Sequence, residues 1–208
     1  KALLDWGYEE QDAYNYAMAA CWEFIIPGCG MDIPNINGLS FPACAVRSVN
    51  RMREFETFDE LREDVKKNIY EEAKRLRDSV TSLYMEPAPL LSILMDGCVE
   101  EGRDISQGNK YNNFGFHGTG VATAVDSLAG VRKYVYEEKS ISKETMLDAL
   151  EKNFEGYEEL ANRLRFEGPK MGNDDDEVDE LATRLLDWFA DSMEGHVNER
   201  GGRYRAGT

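Results

Sequence analysis

The chain has 208 residues, 42% of them hydrophobic and 11% aromatic, with 24 Lys and Arg against 40 Asp and Glu for a formal charge of -16. This composition predicts an ordered core that buries roughly 70% of the surface an unfolded chain of this size exposes. The negative charge argues against nucleic acid, which calls for clustered Lys and Arg, and against anionic membrane surfaces. No apolar run approaches the ~20 residues that span a bilayer, and no basic stretch followed by an apolar one opens the chain as a secretion signal, so an acidic cytoplasmic protein is expected. The first residue is Lys1 rather than Met, which points to processing or to a fragment.

In chain order, Leu3 to Ala20 reads as a helix passing into a short extended run from Tyr16. The following segment, Cys21-Trp22-Glu23-Phe24-Ile25-Ile26-Pro27-Gly28-Cys29-Gly30, holds Pro and Gly residues that demand a turn, so a strand, a tight loop and a second strand or coil are expected. Ser40 is placed to cap a helix from Pro42 to about Arg53. Thr57-Phe58-Asp59-Glu60 has capping-box spacing. The helix after it carries an apolar stripe at Phe58, Leu61, Val65, Ile69, Ala73, Leu76, Val80 and Leu83, and Glu86-Pro87-Ala88-Pro89 is its expected stop.

Gly108 to Gly120 predicts a strand plus a loop, and Val121 to about Tyr136 a helix. Ser142 caps the next helix, to about Asn153, and Tyr157 to Phe166 forms a short one. The last helix starts near Asp175 and is expected to bury Val178, Leu181, Leu185 and Trp188. Without internal repeats or a low-complexity linker, residues 1–208 read as one domain.

Three features are candidates for chemistry. Cys21 and Glu23 form a Cys-x-Glu triplet beside a Pro/Gly-constrained turn, where a side chain can be held rigidly. Cys98-Val99-Glu100 shows that such a triplet also arises by chance, and a buried structural thiol is the plainer alternative. The acidic run Asn173 to Glu180 lacks calcium-loop spacing and fits a helix first turn better than a cation site. Gly115-Phe116-His117-Gly118-Thr119-Gly120 precedes a helix like a phosphate cradle but lacks a G-K-S/T ending, so glycines that let backbones pass closely are favoured, with His117 structural rather than catalytic. Cys21, Cys29, Cys44 and Cys98 make no C-x-x-C pair and have only His117 and His196 for company. Free thiols are expected, and no metal.

The order of these blocks resembles the glycyl radical enzymes, the pyruvate formate-lyase-like dehydratases and lyases. Tyr16-Ala17-Met18-Ala19-Ala20-Cys21-Trp22-Glu23 is similar to the family's Y-x-x-x-G-C-V/I-E element, with Ala20 in place of Gly and Trp22 in place of Val or Ile. Leu90 to Cys98, Tyr111-Asn112 with Gly118 to Ala122, and Asp126 to Ala129 follow in the family's order. So do Pro169 to Asp174 with Glu177 to Asp179, and Arg200-Gly201-Gly202.

The resemblance implies an α/β fold, a helix-rich part of a ten-stranded α/β barrel, with residues 1–208 as a segment of the pyruvate formate-lyase-like domain. It assigns Cys21 as the thiyl site and Glu23 as general base in a dehydratase or other C–X lyase; the pyruvate formate-lyase branch itself uses two adjacent cysteines, which Cys21 lacks. No R-V-x-G-Y glycyl motif is present, so the C-terminal glycyl radical domain is expected to be absent and the chain alone inactive. The resemblance further implies no bound cofactor, a radical installed by a radical S-adenosylmethionine activating enzyme, a small-molecule substrate and a homodimer in the intact protein. The alternative is a non-catalytic scaffold or binding module built on the same fold.

Overall fold

The computed structural model describes residues 1–19, 23–30 and 32–207. The helix expected from Leu3 is broken in two, α1 (Ala2–Asp5) and α2 (Glu10–Tyr14). Gly7 interrupts it with φ +91°, a left-handed conformation that suits glycine, and the turn delivers Tyr8 to a buried position. Strands β1 (Ala17–Ala19) and β2 (Glu23–Ile25) pair antiparallel, with Met18 opposite Phe24. Strand β3 (Ile33–Ser40) then leads into α3 (Phe41–Val49), capped by the Ser40 hydroxyl, which accepts from the Ala43 N–H at 3.3 Å. A single 3-10 turn, Met52–Glu54, finishes that region.

Helix α4 (Phe58–Ser79) begins with the reciprocal cap its sequence promises: Thr57 Oγ1 accepts from the Glu60 N–H at 3.2 Å, and the Glu60 carboxylate accepts from the Thr57 N–H at 3.1 Å. Leu61, Val65, Ile69, Ala73 and Leu76 are all buried along its stripe. The helix stops at Ser79, short of the expected Pro-rich stop, and Leu83 lies exposed beyond it. Short helices α5 (Pro89–Ser92) and α6 (Cys98–Glu101) precede strand β4 (Phe114–Thr119).

Helix α7 (Val121–Val131) passes directly into a π-helical stretch, Arg132–Glu137. Helix α8 (Lys143–Glu151) is capped by Ser142 Oγ, 3.0 Å from the Thr145 nitrogen, and α9 (Glu158–Phe166) follows. In α10 (Asp176–Met193) the residues Val178, Leu181, Leu185 and Trp188 are buried as expected. The preceding Asp175 carboxylate accepts from the Glu177 and Val178 N–H groups, so this part of the acidic run caps a helix. Strand β5 (Tyr204–Gly207) closes the described chain.

The larger sheet has the order β3-β4-β5, with β4 and β5 parallel and Phe114 opposite Tyr204. Parallel neighbours require a long crossover, here supplied by helices, and the class is α/β. The chain divides into two compact units, one of residues 1–38, 76–117 and 193–207, the other of 39–75 and 118–192. In the first, Tyr204 packs its ring against Phe114 and Phe116 at centroid distances of 6.3 and 5.7 Å. In the second, α3 packs on α7, and Phe41 meets Phe189 edge-on at 5.9 Å. Buried Asn68 donates to Ser48 Oγ at 2.8 Å there. No helix among the described residues is long and apolar enough to cross a membrane.

Candidate active site

The interval 20–22 between β1 and β2 contains Cys21 and lies outside the described residues, as does the Glu23 side chain. The Glu23 backbone opens β2 opposite Ala19. What the structure defines is the platform on which these two strands are mounted. Phe24 of β2 stacks on Tyr16 at 5.0 Å and meets Tyr8 edge-on at 6.4 Å. Tyr8, Ile26 and Cys29 form a small buried cluster, with Leu3, Ala13, Phe24 and Tyr111 packed against it.

Around this cluster lies a polar network that sequence reasoning missed. Asp12 is only 7% exposed, and its carboxylate accepts from Tyr111 Oη at 2.6 Å and pairs with Lys110 Nζ at 2.8 Å. Burial by itself would raise the Asp12 pKa, but the hydrogen bonds from Lys110 and Tyr111 outweigh it and hold the carboxyl below the usual range. Lys110 also pairs with Glu9 at 2.8 Å, and its hydrogen bonds to Asp12 and Glu9 raise its pKa.

The Cys29 thiol lies 3.4 Å from Asp96 Oδ2 and 3.7 Å from Asp12 Oδ1. Burial, then the hydrogen bond to Asp96 and the Asp12 charge, push its pKa up to about 11, so it stays protonated at neutral pH. On the other side of the cluster Tyr8 Oη donates to Asp32 Oδ2 at 2.8 Å and accepts from Asn113 Nδ2 at 3.2 Å. Burial and the Asp32 charge raise the Tyr8 pKa, so this phenol too remains neutral.

Backbone bonds stitch the exit of the hairpin to the same segment. The Tyr111 N–H donates to Cys29 O at 3.1 Å and the Asp96 N–H to Gly28 O at 2.8 Å. Two motifs far apart in sequence, Tyr111-Asn112 and Arg200-Gly201-Gly202, are direct partners. Asn198 donates through Nδ2 to Asn112 O at 2.7 Å and accepts from the Gly202 N–H at 3.1 Å. A Cβ on Gly202 would fall 1.8 Å from Asn112 O, so only glycine allows this approach.

The remaining sequence candidates serve structure. Cys98 is buried with its thiol 3.7 Å from Asn109 Oδ1, and Glu100 accepts from the Gly97 N–H at 3.1 Å to cap α6. Gly115 to Thr119 belong to the central strand β4, so their backbone groups face a sheet ladder and form no phosphate cradle. His117 is half-buried on that strand, and its side chain has no hydrogen bond to any of the described residues. Cys29, Cys44 and Cys98 are free thiols. No group of three His, Cys, Asp or Glu among the described residues could hold a metal ion.

Residues 1–208 match the family described as pyruvate formate lyase-like. The chain belongs to this family. It is 34% identical over 160 residues to the trans-4-hydroxy-L-proline dehydratase of Clostridioides difficile, a match covering 74% of this chain and 20% of that protein. A probable dehydratase of Escherichia coli is 30% identical over 235 residues, covering 97% of this chain and 29% of the relative. The solved glycerol-bound glycerol dehydratase of Clostridium butyricum superposes with a TM-score of 0.86 at 26% identity, covering 99% of this chain and 28% of that one. The chain therefore spans less than a third of the length of each of these relatives, and its α/β fold matches part of a glycyl radical enzyme.

Proposed function

We propose that the chain is the cysteine-bearing segment of a glycyl radical dehydratase or related C–X lyase, with Cys21 as the thiyl site and Glu23 as general base. The observation that carries this reading is the Cys21-Trp22-Glu23 triplet, which follows β1 in sequence and ends on the first residue of β2, in a chain that matches the family from end to end. The contact of Phe24 in β2 with Tyr8, within the network of Tyr8, Asp12 and Tyr111, supports it, since radical chemistry calls for a rigid setting that blocks side reactions.

In the intact protein Cys21 gives its thiol hydrogen atom to a glycyl radical borne elsewhere in the polypeptide and installed by a radical S-adenosylmethionine activating enzyme. The resulting sulfur radical takes a hydrogen atom from a substrate carbon, re-forming the S–H bond and leaving a carbon radical. Glu23 accepts the proton of the substrate hydroxyl while the neighbouring substituent departs with its bonding electron pair. The product radical then recovers a hydrogen atom from Cys21, which restores the thiyl. The substrate is a small hydroxylated molecule, the class to which trans-4-hydroxy-L-proline and glycerol of the two named dehydratases belong. A homodimer is the expected assembly of the intact protein.

The test is a Glu23→Gln variant of the intact, anaerobically activated enzyme. Loss of the base is expected to lower kcat by roughly 10²- to 10⁴-fold while the glycyl EPR signal persists. Unchanged turnover would remove Glu23 from the mechanism.

A further inference from the structure

The first compact unit contains a half-open cavity of about 540 Å³, within the roughly 300–1,000 Å³ typical of small-molecule sites. Among the described residues its lining includes Arg103, Lys110, Arg200, Arg203 and Arg205 against one acid, Glu101. Such a concentration of cations is unexpected in a chain with a formal charge of -16.

These cations are not equivalent. Lys110 is neutralised by Glu9 and Asp12, both at 2.8 Å. Arg205 lies 3.9 Å from Asp32 and stacks over Trp6 and Tyr8 at 5.3 and 4.9 Å. Arg200 sits over the Phe114 ring at 5.0 Å and donates to Met85 Sδ and Leu83 O, with no carboxylate against it. Arg103 and Arg203 have no carboxylate partner among the described residues, and both are exposed. The Arg200 guanidinium is thus taken up by Phe114, Met85 and Leu83, and Arg103 and Arg203 are the lining arginines left without a counter-charge among the described residues.

The wall is also fixed in place. The Arg203 N–H donates to Asn113 Oδ1 at 2.9 Å, and Gly202 is held against Asn112. The Tyr204 ring on the opposite side of the strand is buried against Phe114 and Phe116, so strand alternation presents Arg203 and Arg205 on the cavity face. A guanidinium fork matches the paired oxygens of an oxyanion, and the Arg203 backbone that carries one is fixed by Asn113.

We propose that this cavity binds a small tetrahedral oxyanion of the phosphate class through Arg103 and Arg203. The proposal rests on the cavity and its charges and is independent of the radical role of Cys21.

Calorimetric titration of the intact protein with inorganic phosphate, at constant ionic strength, tests it. Saturable binding with one site per chain is expected, weakened at least about tenfold by Arg203→Gln and by Arg103→Gln. The thermal transition of each variant, measured beside wild type, identifies the folded ones, and Arg203→Lys should fall between wild type and Arg203→Gln. Cys21→Ser should leave phosphate binding unchanged even if it abolishes turnover. The absence of saturable binding to the wild-type protein, or equal affinity in the folded Gln variants, would overturn the proposal.

Discussion

Tyr111 donates its phenolic proton to Asp12 across 99 positions of sequence, at an oxygen–oxygen distance of 2.6 Å. This bond ties helix α2, which leads into β1, to the segment that receives the chain leaving β2. With Lys110 on the same carboxylate, it makes Asp12 the point where the two sides of the platform meet.

Replacing Asp12 by Asn should therefore loosen the hairpin. The variant keeps the volume but loses charge-assisted hydrogen bonds, at a cost of about 2 kcal/mol. The folded carboxyl titrates below its ordinary pKa, so its contribution is present above about pH 4 and fades as pH falls through the lower folded value. Urea unfolding of wild type and Asp12→Asn should differ at pH 7 and converge in acid.

Gly202→Ala places a methyl carbon where Asn112 O already sits. Relief requires separating the Arg200-Gly201-Gly202 turn from Tyr111-Asn112, at a cost of about 3 kcal/mol. A fall in Tm is expected, whereas Gly201→Ala meets open space and pays only for its φ of +77°.

Cys29 should react slowly with thiol reagents at pH 8, since its thiol is buried and its pKa is pushed up to about 11. The folded state holds this proton more tightly than the unfolded state, whose thiol titrates near 8.5. Its contribution to stability is thus complete below about pH 8.5 and is lost as pH rises towards 11. Cys44, likewise raised to about 11 by burial, titrates in the same window in the other unit. A Cys29→Ala variant should show a shallower alkaline loss of stability, measured by denaturant unfolding across that range.

Local chemistry was legible wherever it was decided locally. The caps at Ser40, Thr57 with Glu60, Ser142 and Asp175 stand where side chains and spacing place them. The α4 stripe is buried in the order that its periodicity gives. Long-range partners account for the differences. Helix α4 ends before its Pro-rich stop because the Glu199 carboxylate accepts from the Ser82 and Leu83 N–H groups at 2.5 and 3.2 Å, and Ser82 adopts φ +58°. Nothing near Ser82 in sequence announces a partner 117 positions away.

The platform was illegible for the same reason. Tyr8, Asp12, Asp32 and Lys110 are ordinary surface-type residues until the fold brings them together. Tyr111-Asn112 and Arg200-Gly201-Gly202 stood out as motifs, but their contact appears only in three dimensions. The π-helical stretch after α7 continues an apolar pattern that reads as plain α-helix.

The most direct test of the central claim is turnover by Cys21→Ser in the intact, activated protein, assayed anaerobically beside wild type with a substrate that the wild type converts. The glycyl EPR doublet should form in both proteins, with product formed by wild type alone. Product formation by the variant at the wild-type rate would contradict the assignment of Cys21 as the residue that takes hydrogen from substrate.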